Sequence, residues 1–215
     1  MSKVSEAVER LNKILPLKSN QHSMPVELQQ LHRDILYSYI EIGRSLNRAE
    51  IAMRVDNVDD AIETLRQNDL VVFDDGGEPI GVYPFTMEER EHKLNVNGHV
   101  VHCMCALDSL AVSAMYGVEV EINSECRLSG LPVVILQKGH DLLNAADVQD
   151  VCFAINWNAA SANTCCADSL CTEMIFIKGQ LAANDWCNED AGNRQIFTLD
   201  EAIEFAAGFF VPLLG

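Results

Sequence analysis

The spacing of apolar residues changes about a third of the way along this 215-residue chain. Before that point apolar side chains recur at helical intervals, as in Val26–Ile42. Beyond it, short runs rich in Val, Ile and Phe are separated by turns that contain Gly, which is typical of strands. We therefore predict an α+β fold, with a helical region first and a sheet-forming region after it. A hydrophobic content of 48% is sufficient for an ordinary buried core.

The first region is predicted to form a winged-helix-like three-helix domain over residues 1–86. The periodicity and the capping residues predict helices at Val26–Ile42, Asn47–Val55 and from Asn57 or Val58 to Arg66. The runs LVVFDD and PIGVYPF flank Gly76 and Gly77, which indicates a hairpin. Three helices and a hairpin give the winged-helix outline. A generic small helical cap is the alternative.

The second region, residues 87–215, is predicted to be a mixed α/β domain with an antiparallel sheet. LNVNGHVVHC is expected as one strand, and ALDSLAVSAMYG as an apolar helix that ends at Gly117. VEVEINSEC and VVILQK should form a hairpin, while CFAINW and TEMIFI should form two buried strands. A last helix is expected at Leu199–Phe210, capped by Thr198, and Asn156–Asp168 should be a loop.

The net charge argues against several partners. The chain has 32 acidic and 15 basic residues, a formal charge of −17, which repels phosphate backbones and anionic lipids. The candidate recognition helix carries Asp59, Asp60 and Glu63, so we expect no binding to nucleic acid. The N-terminal residues lack the apolar core of a signal peptide, and no run is long enough to cross a membrane. We therefore expect a cytoplasmic protein without membrane association.

All eight cysteines lie after residue 100, at positions 103, 105, 126, 152, 165, 166, 171 and 187. In a reducing compartment they are thiols available for metal binding or chemistry. The close pairs have the patterns CxC and CC, and not the paired CxxC pattern of structural zinc sites. His99 and His102 lie in a predicted strand without a ligand pattern around them, so we expect surface or packing histidines.

Cys105 lies at the junction between a predicted strand and the apolar helix. There the helix dipole and free backbone N–H groups favour a thiolate, so we expect its pKa to be lowered. Asp108 follows in the first helical turn, near enough to exchange a proton with a ligand on Cys105. Alternatively, Asp108 only supports the helix N-terminus and Cys105 is a small buried apolar residue. Pairing Cys105 with Cys165, Cys166 or Cys171 would give a two-thiolate site for a soft metal.

Two blocks of the chain resemble the bacterial organomercurial lyases, also called alkylmercury lyases. The first extends from Asp75 to Ile135 and contains the specific motif CALDSL at Cys105–Leu110. The second, SLCTEMIFIKGQLAANDW at Ser169–Trp186, is similar to the segment around the family's second catalytic cysteine. With the winged-helix-like start and the terminal helix, the resemblance extends over nearly the whole chain.

The resemblance implies roles for individual residues. Cys105 would be the first catalytic cysteine, Asp108 the catalytic acid, and Cys126 a structural cysteine near the site. An ungapped register from the final Asp-Trp pair makes Cys171 the second catalytic cysteine, whereas choosing Cys165 or Cys166 requires an insertion. Two features depart from the family. Met104 stands where the family usually has Trp, and Cys103, Cys165 and Cys166 are additional thiols that are either accessory mercury ligands or incidental.

The implied activity is cleavage of a carbon–mercury bond by protonolysis, which yields a hydrocarbon and Hg(II). Two thiolates would hold mercury as substrate and product, and an aspartic acid would supply the proton. The resemblance implies no organic cofactor, a need for low-molecular-weight thiols during turnover, and mercuric reductase as a possible partner. The alternative is a thiol-based protein that binds mercury or another soft metal without catalysis, or a metal-responsive regulator.

Overall fold

The computed structural model describes residues 2–161 and 164–215. Within these residues the helices are α1 (Lys3–Ile14), α2 (Leu17–Ser23), α3 (Val26–Ile42), α4 (Arg48–Ala52), α5 (Val58–Gln67), α6 (Ala106–Tyr116), α7 (Gln180–Asn188) and α8 (Leu199–Phe210). The strands are β1 (Val71–Phe73), β2 (Pro79–Val82), β3 (Phe85–Thr86), β4 (His92–Val96), β5 (His99–Cys103), β6 (Glu119–Glu125), β7 (Pro132–Lys138), β8 (Asp141–Leu142), β9 (Val151–Asn156), β10 (Met174–Lys178) and β11 (Arg194–Thr198). The α+β class is confirmed.

The strands form two antiparallel sheets around a central helix. The larger sheet has eight strands in the order β1-β2-β3-β5-β4-β6-β7-β8, and the smaller one has the order β10-β9-β11. Helix α6 packs against the larger sheet on one side and against β10 and α8 on the other. Nine of its eleven residues are buried. A helix that is apolar on all faces is stable only when it is covered on all faces, so α6 lies in the core.

Most of the predicted elements are confirmed. Helix α3 has the predicted bounds, α4 and α5 begin after their predicted caps Asn47 and Asn57, and α8 is capped by Thr198. Helix α4 ends at Ala52, earlier than predicted. The hairpins β1–β2 and β6–β7 and the buried strands β9 and β10 are present as predicted, and the structure adds that β9 and β10 pair. The predicted loop at Asn156–Asp168 contains short 3-10 turns, and its residues 162 and 163 lie outside the described residues.

The prediction of one strand for LNVNGHVVHC is wrong. This segment is the antiparallel hairpin β4–β5, with Val96 opposite His99. Asn97 and Gly98 form the turn with φ of 49° and 82°. A two-residue hairpin of this kind needs positive φ at both turn positions, which Asn-Gly adopts more readily than other pairs. The hairpin brings β5 into the middle of the larger sheet. Cys105 follows two positions after the end of this strand.

Four elements near the chain ends, α1, α2, α7 and β11, were not predicted. Helix α1 presents only a narrow apolar stripe, including Ala7 and Leu11, and packs on α8. The ammonium group of Lys3 lies 2.7 Å from the carboxylate of Glu201 at the start of α8. Such a helix is stabilised by its tertiary partner more than by its own sequence. The partner is nearly 200 positions away in the chain.

The larger sheet continues across the predicted domain boundary at residues 86 and 87. Strand β3 from the first region pairs with β5 from the second, with Phe85 opposite Cys103. The buried ring of Phe85 also stacks on Tyr39 of α3, with 4.7 Å between the ring centroids. The division into residues 1–86 and 87–215 and the winged-helix description of the first part stay predictions. In the part of the chain that the structure describes, no helix combines the length and the apolar character needed to span a bilayer.

Candidate active site

Cys105 is held at the N-terminus of α6, where the chain leaves β5. Its backbone is extended, with φ of −153° and ψ of 176°, and its Sγ atom accepts a hydrogen bond from the Asp108 N–H at 3.4 Å. The Cys105 thiol also donates to the Met174 Sδ atom on β10, at 3.5 Å. Cys105 is only 1% exposed. It therefore caps the helix and faces the smaller sheet at the same time.

Asp108 occupies the first turn of α6 and is 2% exposed. Its Oδ2 atom is buried and has no hydrogen-bond partner. Burial raises the pKa of this carboxyl to about 7, although hydrogen bonds with Cys105 and the charge of Arg90 act in the opposite direction. The group can therefore hold a proton near neutral pH, and one of its oxygens is free to accept or donate a hydrogen bond.

Cys171 lies in the short 3-10 turn Leu170–Glu173 that leads into β10. It is 4% exposed, and the ligand atoms of Cys105, Asp108 and Cys171 all lie within 4.8 Å of one another. Hydrogen bonds with Cys105 and Cys166, together with burial, raise the pKa of the Cys171 thiol. The backbone thus brings together two sulfurs and one carboxyl oxygen from segments more than 60 positions apart.

The predicted lowering of the Cys105 pKa is wrong. Burial and, to a smaller extent, the nearby Asp108 carboxyl raise the pKa of this thiol to about 12, although hydrogen bonds with Cys171 and the Asp108 N–H act in the opposite direction. The helix N-terminus offers partial positive charge, but removal of the thiolate from water costs more. In the absence of a metal the site therefore keeps its thiols protonated. A soft metal that binds them must displace their protons.

The remaining candidate cysteines lie at different distances from this group. Cys166 is buried, and its Sγ atom lies 3.6 Å from the Sγ atom of Cys171. Cys165 is half-buried and donates to the Asp168 carboxylate at 3.3 Å. Cys126 is buried and accepts the Lys178 N–H at 3.2 Å, which ties the end of β6 to β10. Cys103 is buried at the end of β5.

The two strand histidines are engaged with the backbone. His99 is hydrogen-bonded to the Glu41 carbonyl at 3.1 Å, and His102 to the Arg90 carbonyl at 3.2 Å. These contacts agree with the expected packing role.

Two further residues lie near the site, Arg90 and Tyr83. No sequence pattern had indicated either of them as a site residue. The Arg90 guanidinium donates to the Ala167 carbonyl at 3.0 Å and lies 3.3 Å from the Asp168 carboxylate. The Tyr83 hydroxyl accepts the Ala167 N–H at 3.1 Å. Together they fix the turn Cys166–Asp168, which carries Cys166. Their partners are 77 to 84 positions away in the chain, so no local pattern could reveal these contacts.

Met104 lies beside a small cleft of about 60 Å³ that is also lined by Gly81, Arg90, Ala167 and Asp168. Met104 is 5% exposed, whereas Asp168 is exposed to solvent. The methionine packs so closely on Gly81 that a Cβ at this glycine would stand 2.6 Å from its Cε atom. The cleft connects the surface to the residue that precedes Cys105.

Comparisons with known proteins show the family of this chain. The family model for alkylmercury lyase (MerB) matches residues 85–211. An alkylmercury lyase of Bacillus cereus is 24% identical over 205 residues, which cover 94% of this chain and 89% of the relative. One from Streptomyces lividans is 26% identical over 149 residues, covering 68% of this chain and 67% of the relative.

The fold has a solved counterpart. The crystal structure of the mercury-bound form of MerB2 superposes with a TM-score of 0.75 at 18% identity, covering 98% of this chain and 100% of that chain. The family model includes the segments that carry Cys105, Asp108 and Cys171, and it spans more than half of the sequence. The chain therefore belongs to the alkylmercury lyase family and is an enzyme of that family.

Proposed function

We propose that this enzyme cleaves carbon–mercury bonds by protonolysis, with Cys105 and Cys171 as the sulfur ligands and Asp108 as the proton donor. The observation that carries the proposal is the buried Asp108 carboxyl, which has an unpaired oxygen and lies within 4.8 Å of two thiols. Thiolates are the preferred protein ligands of soft metals. A carboxyl with a pKa of about 7 can both accept and donate a proton at neutral pH.

Substrate binding is a ligand exchange at mercury. The Cys105 sulfur replaces the external ligand of the organomercury ion, and the Cys105 proton leaves with that ligand. Burial makes loss of the Cys105 proton costly, and formation of the mercury–sulfur bond compensates for this cost. The substrate is then R–Hg–S, held by one residue.

The second thiol weakens the carbon–mercury bond. As the Cys171 sulfur approaches mercury, its proton passes to Asp108, and the added electron density makes the bound carbon more basic. Asp108 then protonates that carbon, and the electron pair of the carbon–mercury bond becomes the new carbon–hydrogen bond. One hydrocarbon leaves, and Hg(II) stays bound by two thiolates. The proton that leaves Cys171 ends on the hydrocarbon.

Release of Hg(II) requires thiols from outside the protein. Low-molecular-weight thiols would remove it by further ligand exchange, and mercuric reductase is a proposed recipient. The steps above use this chain's own side chains, with mercury as substrate and product, so the proposal assigns no organic cofactor.

The test is headspace gas chromatography of the protein incubated with phenylmercury and an excess of a small thiol. We expect benzene over many turnovers from the native chain, and a fall of about 100-fold or more in Asp108→Asn, because general acids contribute about 10² to 10⁴-fold. Asp108→Asn should still bind phenylmercury. Benzene at a near-normal rate from that variant would remove Asp108 from the reaction.

Matched cysteine variants test the choice of sulfur ligands. Cys105→Ser and Cys171→Ser should each abolish turnover, whereas Cys165→Ser should retain it, because the Cys165 thiol is directed at Asp168. Loss of activity in Cys165→Ser with retention in Cys171→Ser would show that the register is wrong. Stoichiometric mercury binding without benzene from the native chain would indicate a thiol trap instead of a lyase.

A further inference from the structure

A third thiol contacts the centre and has no part in the reaction proposed above. Cys166 is 6% exposed, and its Sγ atom lies 3.6 Å from that of Cys171. Cys166 and Cys171 lie in adjacent 3-10 turns, Cys166–Asp168 and Leu170–Glu173. A buried nucleophilic sulfur in contact with a mercury ligand is placed to become a ligand itself.

The separation of the two sulfurs is suited to a three-ligand intermediate, through which mercury would pass between two two-ligand states. With a metal–sulfur bond of at least about 2.3 Å, two sulfurs on opposite sides of a linear site are about 4.6 Å apart, and two in a trigonal site are about 4.0 Å apart. The 3.6 Å between Cys166 and Cys171 is closer to the trigonal value. The Sγ atoms of Cys105 and Cys171 also lie within 4.8 Å of each other, so all three sulfurs can reach one mercury ion after small shifts.

Cys166 begins a short turn that reaches the protein surface. Cys105, Cys171 and Cys166 are 1%, 4% and 6% exposed, so an external thiol reaches mercury at any of them only through movement of the protein. The turn that begins with Cys166 ends at Asp168, which is exposed and lines the cleft beside Met104. The other two residues of this turn, Ala167 and Asp168, both line the cleft, so movement of the turn would expose the Cys166 sulfur there.

We propose that Cys166 takes Hg(II) from the reaction centre after the carbon–mercury bond is cleaved. This inference rests on the proposed function. The Cys166 sulfur bonds to the mercury held by Cys105 and Cys171, the mercury–Cys105 bond breaks, and the Cys166 proton passes to the Cys105 sulfur. Mercury has two thiolates before and after the step, and no oxidation or reduction occurs. Cys105 regains its thiol for the next substrate, and an external thiol then attacks mercury at Cys166.

Mercury transfer can be measured without turnover. The protein is loaded with one equivalent of HgCl₂, mixed with excess dithiothreitol, and separated rapidly so that the mercury left on the protein is counted. We expect transfer to slow by about tenfold or more in Cys166→Ser and Cys166→Ala, because a thiol already in place has a large effective concentration. The control Cys165→Ser should transfer at the wild-type rate, since the Cys165 sulfur is engaged with Asp168.

Two measurements separate the possible failures. Wild-type transfer rates in folded Cys166→Ser and Cys166→Ala would overturn the proposal. If those variants do not fold, mass spectrometry of the wild type decides: Cys166 should react more slowly with N-ethylmaleimide after HgCl₂ loading, and equal labelling with and without mercury would overturn the proposal. If the proposed function is wrong, the native chain releases no benzene from phenylmercury. The mercury transfer rates and the N-ethylmaleimide labelling can still be measured in that case.

Discussion

Substitution of Asp108 by Asn should change how the stability of the protein depends on pH. In the unfolded chain this carboxyl has its ordinary pKa of 3.8, and in the folded protein burial raises the pKa to about 7. The folded state therefore binds the proton more tightly than the unfolded state. Relative to Asn, the contribution of Asp108 to stability is fully present below pH 3.8 and is lost as the pH rises through 7.

The magnitude follows from the two pKa values. Each pKa unit of difference corresponds to about 1.4 kcal/mol. Between pH 5.5 and pH 8.0 only the folded protein releases this proton, so the wild type should lose about 2 kcal/mol relative to Asp108→Asn, most of it between pH 5.5 and 7. Other titrating groups are common to both proteins and cancel in the comparison.

The assay is urea unfolding of both proteins at pH 5.5, 7.0 and 8.0 in the presence of a reductant, with the free energy of unfolding taken from the linear extrapolation. The difference between the two proteins should change with pH in the stated direction. Any constant cost of placing the Asn amide in the core shifts all three values equally and does not affect the result. Parallel pH dependences in the two proteins would refute the claim that Asp108 is protonated near neutral pH.

Three further substitutions test the surroundings of the site. Gly81→Ala should cost about 1 kcal/mol or less in urea unfolding, because the new methyl group would stand 2.6 Å from the Met104 Cε atom, the end of a flexible side chain that can shift; a loss of several kcal/mol would contradict this flexibility. Thr198→Ala removes the acceptor for the Glu201 N–H and one half of the capping box of α8, so it should cost about 1 kcal/mol in the same assay. Arg90→Gln should leave the unfolding midpoint nearly unchanged and lower steady-state turnover, because the Ala167 carbonyl loses its donor and the turn with Cys166 loosens; unchanged turnover would show that Arg90 does not position that turn.

Local sequence determined most of the regular elements. The helical periodicity of α3 and the capping residues Asn47, Asn57 and Thr198 act over a few neighbouring positions, and the structure has the corresponding helices. The Asn97-Gly98 turn is also a local signal, because Asn-Gly readily adopts positive φ at both positions. Helix α1 differs, because its stability comes from contacts with α8.

The sequence by itself also determined the family resemblance and the candidate trio of Cys105, Asp108 and Cys171, because the motif CALDSL and the block before Trp186 are continuous in the chain. Only the tertiary structure decided that these side chains share one buried centre and that Cys166 contacts it. It also decided the protonation of the site. A helix N-terminus can be recognised from local sequence and favours a thiolate. Burial depends on the whole fold, and here it raises the pKa of both Cys105 and Asp108.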